Sequence, residues 1–240
     1  MRPLRRTAHA LLLLLAGLTQ VAAATDPATT DRDFLFRLGL MEGHLTIAHE
    51  LIAAKKPQMA VPHFGHPVRE LYDDMAPYLK AHQFPAFKRD LAALEAAATA
   101  APYAATTEAK YQAVMQTLTK ARELTPPALR ASVPEGLKLC ADTLATAAGE
   151  YNGALERGRV ANLVEYHDSR GFVFQAVQML AQIRSAHPDA TDQAVFDKFQ
   201  AVLAQAQAIV QPLLPDPKPR ATVAQYRAIA TEAAQVAVTP

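Results

Sequence analysis

Histidines are concentrated in one short stretch near the beginning of the chain. Five of the eight histidines fall between residues 44 and 82, and four of those five lie within His44 to His66. Imidazole nitrogens bind zinc, iron and copper(II), and carboxylate oxygens commonly complete such sites. The concentration therefore predicts a metal site, with iron favoured and with zinc or copper as the next candidates.

The spacing His-x-x-His-x-x-x-Glu is formed by His63, His66 and Glu70. On a helix, His66 and Glu70 lie one turn apart, where side chains meet. Two histidines and one carboxylate with open coordination positions also suit non-haem iron. The alternative without a metal is a helix cap, with His66 directly before Pro67 and Glu70 in the first turn.

The predicted first helix adds one strong histidine candidate. His44 falls inside its apolar face, so the imidazole is expected to be buried and to need a partner for its ring nitrogens, either a carbonyl or a metal. His49 lies on the opposite side, with Glu42 on nearly the same face. We treat His49, Glu42 and the more exposed Glu70 as additional candidate ligands, and a solvated ion pair is the alternative for the first two.

Acidic residues in the second half of the sequence give the other set of candidates. Glu165 and Asp168 extend the core face of a predicted helix. Buried carboxylates are costly unless they are paired or bind a cation, so either a metal ion or an arginine, Arg159 or Arg170, should accompany them. His167 points away from this face and is predicted to be exposed.

Glu150 lies on the preceding helix and borders its apolar face, with Gly158 expected to make the turn between the two helices. Its spacing to Glu165 suits a tight helical hairpin. The predicted metal ligands are His44, His63, His66, Glu150, Glu165 and Asp168.

Helices are the elements expected to position these side chains. Alanine and glutamine are abundant, tryptophan is absent and no segment alternates as a strand does, so the fold class is predicted to be all-α. We expect about eight helices in an antiparallel bundle, with residues 58–67 irregular because Pro62 and Pro67 limit a helix there. The predicted helices cover 32–54, 67–82, 85–100, 106–123, 135–157, 160–185, 190–212 and 221–236.

The bundle is predicted to be built from two four-helix halves, at about 32–124 and 134–236, within a single helical domain covering 25–240. The halves resemble a weak internal repeat, in which His44, His63 and His66 align with Glu150, Glu165 and Asp168. A pseudo-two-fold bundle of this kind would bring both sets of ligands toward one axis.

The first 24 residues have the three parts of a secretory signal, namely a basic head, a short apolar run and an Ala-Ala-Ala end. They predict cleavage after Ala24, a periplasmic or secreted location and no membrane insertion after cleavage. With Cys140 as the only cysteine, no intramolecular disulfide can form, and its place on an apolar helix face predicts an inert core thiol.

Several function classes receive no support from the sequence. The net charge of +1 gives no argument for a nucleic-acid partner. Nucleophile elbows, phosphate-binding glycine loops and zinc-protease or haem motifs are not found, and no catalytic residue is predicted. A binding protein is therefore favoured over an enzyme.

The segment from Met41 to Glu50, with its Gly-His pair, resembles the imelysin-like periplasmic helical proteins, which are associated with iron uptake and carry a Gly-x-His-x-x-Glu motif. Here glycine is adjacent to His44, and Glu50 follows six residues after it. The resemblance implies an exported helical protein that binds iron.

These observations together predict an exported helical metal-binding protein with a histidine and carboxylate site between its two halves. The expected partners are a metal ion and a protein of the cell envelope. One alternative is a metal-free helical interaction module of the envelope, and another is a metal-dependent enzyme that uses the same site.

Overall fold

A computed structural model describes residues 30–238, so the predicted signal peptide at residues 1–24 lies outside the described residues. The helices are α1 (Asp31–Ala53), α2 (Pro57–His66), a π-helical segment (Pro67–Leu71), α3 (Tyr72–Ala81), α4 (Lys88–Ala100), α5 (Ala105–Arg122), α6 (Pro127–Arg130), α7 (Val133–Ala154), α8 (Leu163–Ala186), α9 (Ala190–Val210) and α10 (Val223–Val238). Two short strands, β1 (Leu155–Glu156) and β2 (Arg159–Val160), form an antiparallel hairpin. The predicted all-α bundle is confirmed.

The first helix begins at Asp31, one residue before the predicted start, and Thr30 caps it. The Thr30 hydroxyl accepts a hydrogen bond from the Asp33 amide at 3.0 Å, which satisfies one of the free amides of the first turn. The apolar face of α1 is buried in the core, with Phe34, Leu38 and Leu45 fully enclosed. Burial of this face orients the whole helix and so directs His44 inward.

The segment predicted to be irregular, 58–67, is helical instead, and that prediction is wrong. Pro57 occupies the first turn of α2, where a proline is favourable, and Pro62 lies within the helix. Each proline removes one amide donor, and the burial of Ala60 and Phe64 against the core offsets that cost. Helix therefore continues through His63 and His66 without a break.

A π-helical turn follows directly, from Pro67 to Leu71, and leads into α3. The Tyr72 amide donates to the Pro67 carbonyl, which is five residues back rather than four. Such a turn makes room for a proline ring inside a helix. The stretch from Pro57 to Ala81 is thus helical without interruption. When α2, the π-helical turn and α3 are counted as one helix, the described part of the chain holds eight longer helices and the single turn α6.

The second half of the chain closes into four packed helices. Helix α7 packs against α8 and α10, and α9 packs against the same two helices. The turn between α7 and α8 is made by Arg157 and Gly158, both with positive φ, at 50° and 74°. The predicted turn at Gly158 is confirmed, because glycine adopts this left-handed conformation at little cost.

The first half is joined to this group mainly through α1, which packs against α2, α5, α7 and α8. Helix α2 also contacts α8, while α4 and α5 cover the outer side of the first half. Helix α8 is therefore the element that meets both α1 and α2, and its α1-facing side is where the predicted ligands of the two halves come together.

Cys140 of α7 is fully buried, and burial raises the pKa of its thiol to about 12. We expect no reaction of native protein with Ellman's reagent at pH 8, because both the thiolate and access to the sulfur are lacking. One thiol per chain should react once guanidinium unfolds the protein. Rapid labelling of the native chain, measured beside glutathione as the free-thiol control, would contradict this packing.

Candidate metal centre

Three histidines converge on the carboxylate of Asp168. His44 Nδ1 and His63 Nδ1 each lie 2.7 Å from Asp168 Oδ1, and His66 Nδ1 lies 3.2 Å from Oδ2. Potential ligand atoms of these four residues all lie within 4.8 Å of one another. The structure thus brings together four of the six predicted ligands, from α1, α2 and α8.

Burial is nearly complete around this group. His63 is 0 % exposed, Asp168 2 % and His44 3 %. His66 is half-buried and forms the side of the group that is nearest to solvent. A carboxylate in such surroundings needs compensating partners, and here every partner is an imidazole.

Asp168 is held in its charged form. Burial by itself would raise the pKa of Asp168, but hydrogen bonds from His44 and His63, together with the nearby ring of His66, outweigh it and hold that pKa well below its ordinary value. An ionised carboxylate can only accept hydrogen bonds, so the Nδ1 atoms of His44 and His63 must carry the hydrogens of those two contacts.

His63 and His66 differ in the direction of their pKa shifts. Burial lowers the pKa of His63, so its imidazole is neutral at pH 7. Burial would also lower the pKa of His66, but the contact with Asp168 and the charges of Asp168 and Glu70 together raise it. A neutral imidazole is the form that binds a metal ion.

Two ring nitrogens in the group are buried without a hydrogen-bond partner, namely His63 Nε2 and His66 Nδ1. The latter lies near Asp168 but is oriented so that no hydrogen bond forms. Buried polar atoms are almost always satisfied in folded proteins, so two orphans in one cluster indicate a missing partner such as an ion.

A contact between two glycines brings α1 and α8 close enough for this geometry. A Cβ placed on Gly171 would lie 2.6 Å from the Gly43 carbonyl oxygen, so only glycine fits there. Gly43 directly precedes His44, and Gly171 lies three residues after Asp168. Phe172 then packs edge-on against the His44 ring, with 4.8 Å between ring centroids.

Arg170 fixes the same helix from its other side. Its guanidinium pairs with Glu50 of α1 at 2.6 Å and donates to the carbonyls of Val210 and Gln211 at the end of α9. Arg170 was the alternative partner expected for the buried carboxylates, but it is engaged elsewhere. Within the described residues, no lysine or arginine forms an ion pair with Asp168, Glu150 or Glu165.

Glu150 and Glu165 lie next to the cluster but outside the group of four. Burial, the hydrogen bond with Glu165 and the charges of Glu165, Asp168 and Glu70 raise the pKa of Glu150 to about 9. A hydrogen bond between two carboxyl groups requires a proton on one of them. The structure thus places these two predicted ligands at the margin, as a pair that shares a proton.

The three additional candidate ligands, Glu70, Glu42 and His49, lie in different parts of the structure. Glu70 is about half exposed, as expected, and its carboxylate faces His44 and His66. The structure does not bring Glu42 or His49 to the cluster. Glu42 pairs with Arg122 and Gln175, and His49 pairs with Glu108 while stacking on Tyr111.

His167 is buried, so the prediction that it is exposed is wrong. Its Nε2 lies 2.9 Å from the Leu213 carbonyl oxygen, and its ring lies 5.6 Å from that of His63. The loop after α9 covers this side of α8, and helical periodicity within α8 does not reveal that cover. The Gly43–Gly171 contact and the role of Arg170 were also missed, since each depends on a second helix.

Comparison with known proteins gives one family. Residues 126–238 match the model of the iron permease-associated 4-helix bundle domain, a stretch just under half of the chain that contains α6 to α10. Asp168, Glu150 and Glu165 lie in the matched part, and the three histidines lie before it. No curated protein and no solved structure matches the chain significantly.

This match changes two expectations. The link to an iron-related helical domain is confirmed, but the resemblance to imelysin-like proteins is not. The expectation of a periplasmic or secreted location is wrong, because the matched domain belongs to iron permease proteins, which are membrane-associated. That expectation rested on residues 1–24, whose charge and apolar pattern carry no information about association with a permease. No described helix is both long and apolar enough to cross a bilayer.

The glycine contact gives a direct test of how the site is positioned. Gly171→Ala should lower the free energy of unfolding by about 1–3 kcal/mol, because the new methyl group overlaps the Gly43 backbone. Gly149→Ala is the matched control, since nothing lies within 4 Å of its Cβ position, and it should leave stability unchanged or raise it by up to about 1 kcal/mol. Urea unfolding measures both, and equal effects of the two variants would exclude the close α1–α8 contact.

Proposed function

We propose that this protein binds a transition-metal ion, with iron first, at the cluster of His44, His63, His66 and Asp168, and that it handles this ion for an iron permease. The observation that carries the proposal is the convergence of three histidines and one carboxylate from three helices.

The donor set supports a transition metal rather than calcium or magnesium. Imidazole suits iron, zinc, copper and nickel, whereas calcium and magnesium select oxygen ligands. With two or three imidazoles and a carboxylate, iron(II) and zinc are both suitable, and the match to an iron permease-associated domain favours iron.

The charge balance around the cluster also favours a cation. Asp168, Glu150 and Glu165 lie close together, and no described lysine or arginine is paired with them. Burial, the hydrogen bond with Glu165 and the negative charges of its neighbours together raise the pKa of Glu150 to about 9. A bound divalent ion would supply the positive charge that protein side chains do not provide there.

A permease is the partner that this proposal implies. The matched stretch is described as iron permease-associated, and it supplies Asp168, while the histidines come from the part of the chain before it. The ion would therefore be held at the junction of the two parts, and both parts are needed to bind it.

Metal titration of the full chain tests the proposal. We expect one iron(II) ion per chain under anaerobic conditions, and a rise in Tm with metal, since an ion at 100 times its Kd adds about 2.7 kcal/mol of stability. For a chain of this size that is a shift of roughly 5–10 °C. Zinc should bind at the same site and compete with iron.

The combined replacement of His44, His63 and His66 by alanine should abolish both the binding and the Tm shift. His82→Ala is the matched control, because His82 is an exposed histidine directly after α3 and outside the cluster. Circular dichroism establishes that the triple variant is folded. A folded triple variant with full binding, or a wild-type chain that no metal stabilises, would overturn the proposal and favour the metal-free interaction module.

A further inference from the structure

This inference rests on the proposed function: we infer that the ion binds on the Nε2 side of His44 and His66 with Glu70 as its carboxylate ligand, while Asp168 positions the His44 ring through its Nδ1 atom. Asp168 is then a positioning residue and Glu70 a metal ligand. The inference names the atoms of the site, and three observations support it.

The first is that Asp168 is already engaged by hydrogen bonds. The 2.7 Å contacts of Oδ1 with His44 Nδ1 and His63 Nδ1 are ordinary charge-assisted hydrogen-bond lengths. A ring nitrogen that donates a hydrogen has no lone pair for a metal. In a neutral imidazole with the hydrogen on Nδ1, the lone pair is on Nε2, which leaves Nε2 as the metal-binding atom.

The second observation concerns Glu70. Its Oε1 lies 3.7 Å from His66 Nε2, and its Oε2 lies 3.9 Å from His44 Nε2. These separations are too long for hydrogen bonds. Two ligands on one ion, each with a bond of ~2.1 Å, lie about 3.4–3.7 Å apart at tetrahedral to trigonal angles. The Glu70 carboxylate is therefore already close to the distance from both rings that a shared ion would require.

The third observation is that the Glu70 carboxylate can move more easily than the Asp168 carboxylate. For Asp168 to become a ligand beside the Nδ1 atoms, both 2.7 Å contacts would have to lengthen by more than half an ångström inside a closely packed core. The side chain of Glu70 lies in the π-helical turn and is 53 % exposed, so it can move a few tenths of an ångström at little cost.

The resulting arrangement is common in metal sites. Histidine ligands usually donate their second ring N–H to a carboxylate, which fixes both the tautomer and the direction of the ring. Asp168 fits that role for His44, and His63 supports the same oxygen from α2.

Nitrogen NMR of the histidine side chains, with zinc as the diamagnetic probe, tests the inference on the full chain. We expect zinc to shift the Nε2 resonances of His44 and His66 to metal-bound values while the Nδ1 atom of His44 remains protonated. Metal-bound Nδ1 with protonated Nε2 would overturn the inference and leave the proposed function standing. If zinc causes no change and no metal binds, the proposed function itself fails.

Two carboxylate variants give a second, independent readout. Glu70→Gln should weaken zinc binding roughly tenfold or more, because a charged oxygen ligand is lost. Glu108→Gln is the matched control, an exposed glutamate that faces His49 at 2.8 Å away from the cluster, and it should bind zinc like the wild type.

Asp168→Asn should weaken zinc binding by about 10–100-fold but keep coordination through Nε2, as expected for a residue that acts through the rings. A folded Asp168→Asn chain that loses zinc entirely, together with a Glu70→Gln chain that binds normally, would reverse the two roles. Thermal unfolding of each variant without metal separates these effects from a loss of folding.

Discussion

A single negative charge in the interior, that of Asp168, organises the region where the first and second halves of the chain meet. The carboxylate is almost fully withdrawn from water, and its close partners among residues 30–238 are imidazoles from α1 and α2. Removing solvent from a carboxylate costs several kcal/mol unless hydrogen bonds replace it. Helix α8 therefore meets α1 and α2 through polar as well as apolar interactions, and the polar and apolar interactions depend on each other.

Backbone proximity makes this contact feasible. Hydrogen bonds of 2.7 Å between side chains on neighbouring helices require the helices to approach closely, and Gly43 and Gly171 remove the side chains that would keep them apart. Arg170 then links α8 to α1 and to the end of α9. Small residues, a partly buried ion pair and a shared carboxylate thus act on the same few turns of α8.

Much of the fold was predictable because it depends on local rules. Prolines, caps and apolar periodicity placed most helix ends within a few residues, and the positive φ of Gly158 was readable from its place between two helices. The exception was the segment 58–67, where Pro62 and Pro67 suggested a break. Burial against other helices and a π-helical turn outweigh such local signals, and neither can be recognised from a single sequence.

The site was predictable in part for a similar reason. His44 and Asp168 were identified because a polar residue on an apolar face must find a partner, and that argument holds for any fold. It did not separate Asp168 from Glu150 and Glu165, which lie on comparable faces, because the distances between helices decide which carboxylate the histidines reach. Likewise, the cover over His167 comes from a loop 46 residues away in the sequence.

The division of the donors between two segments has a consequence for how such proteins are recognised. The segment that resembles a known family contributes an oxygen donor, and every imidazole of the cluster comes from the segment before it. A homologue identified by the shared segment alone would inherit the helical scaffold with none of the nitrogen chemistry. Inheritance of the proposed activity is therefore better judged by a Gly-His pair and a His-x-x-His spacing upstream than by similarity across the bundle.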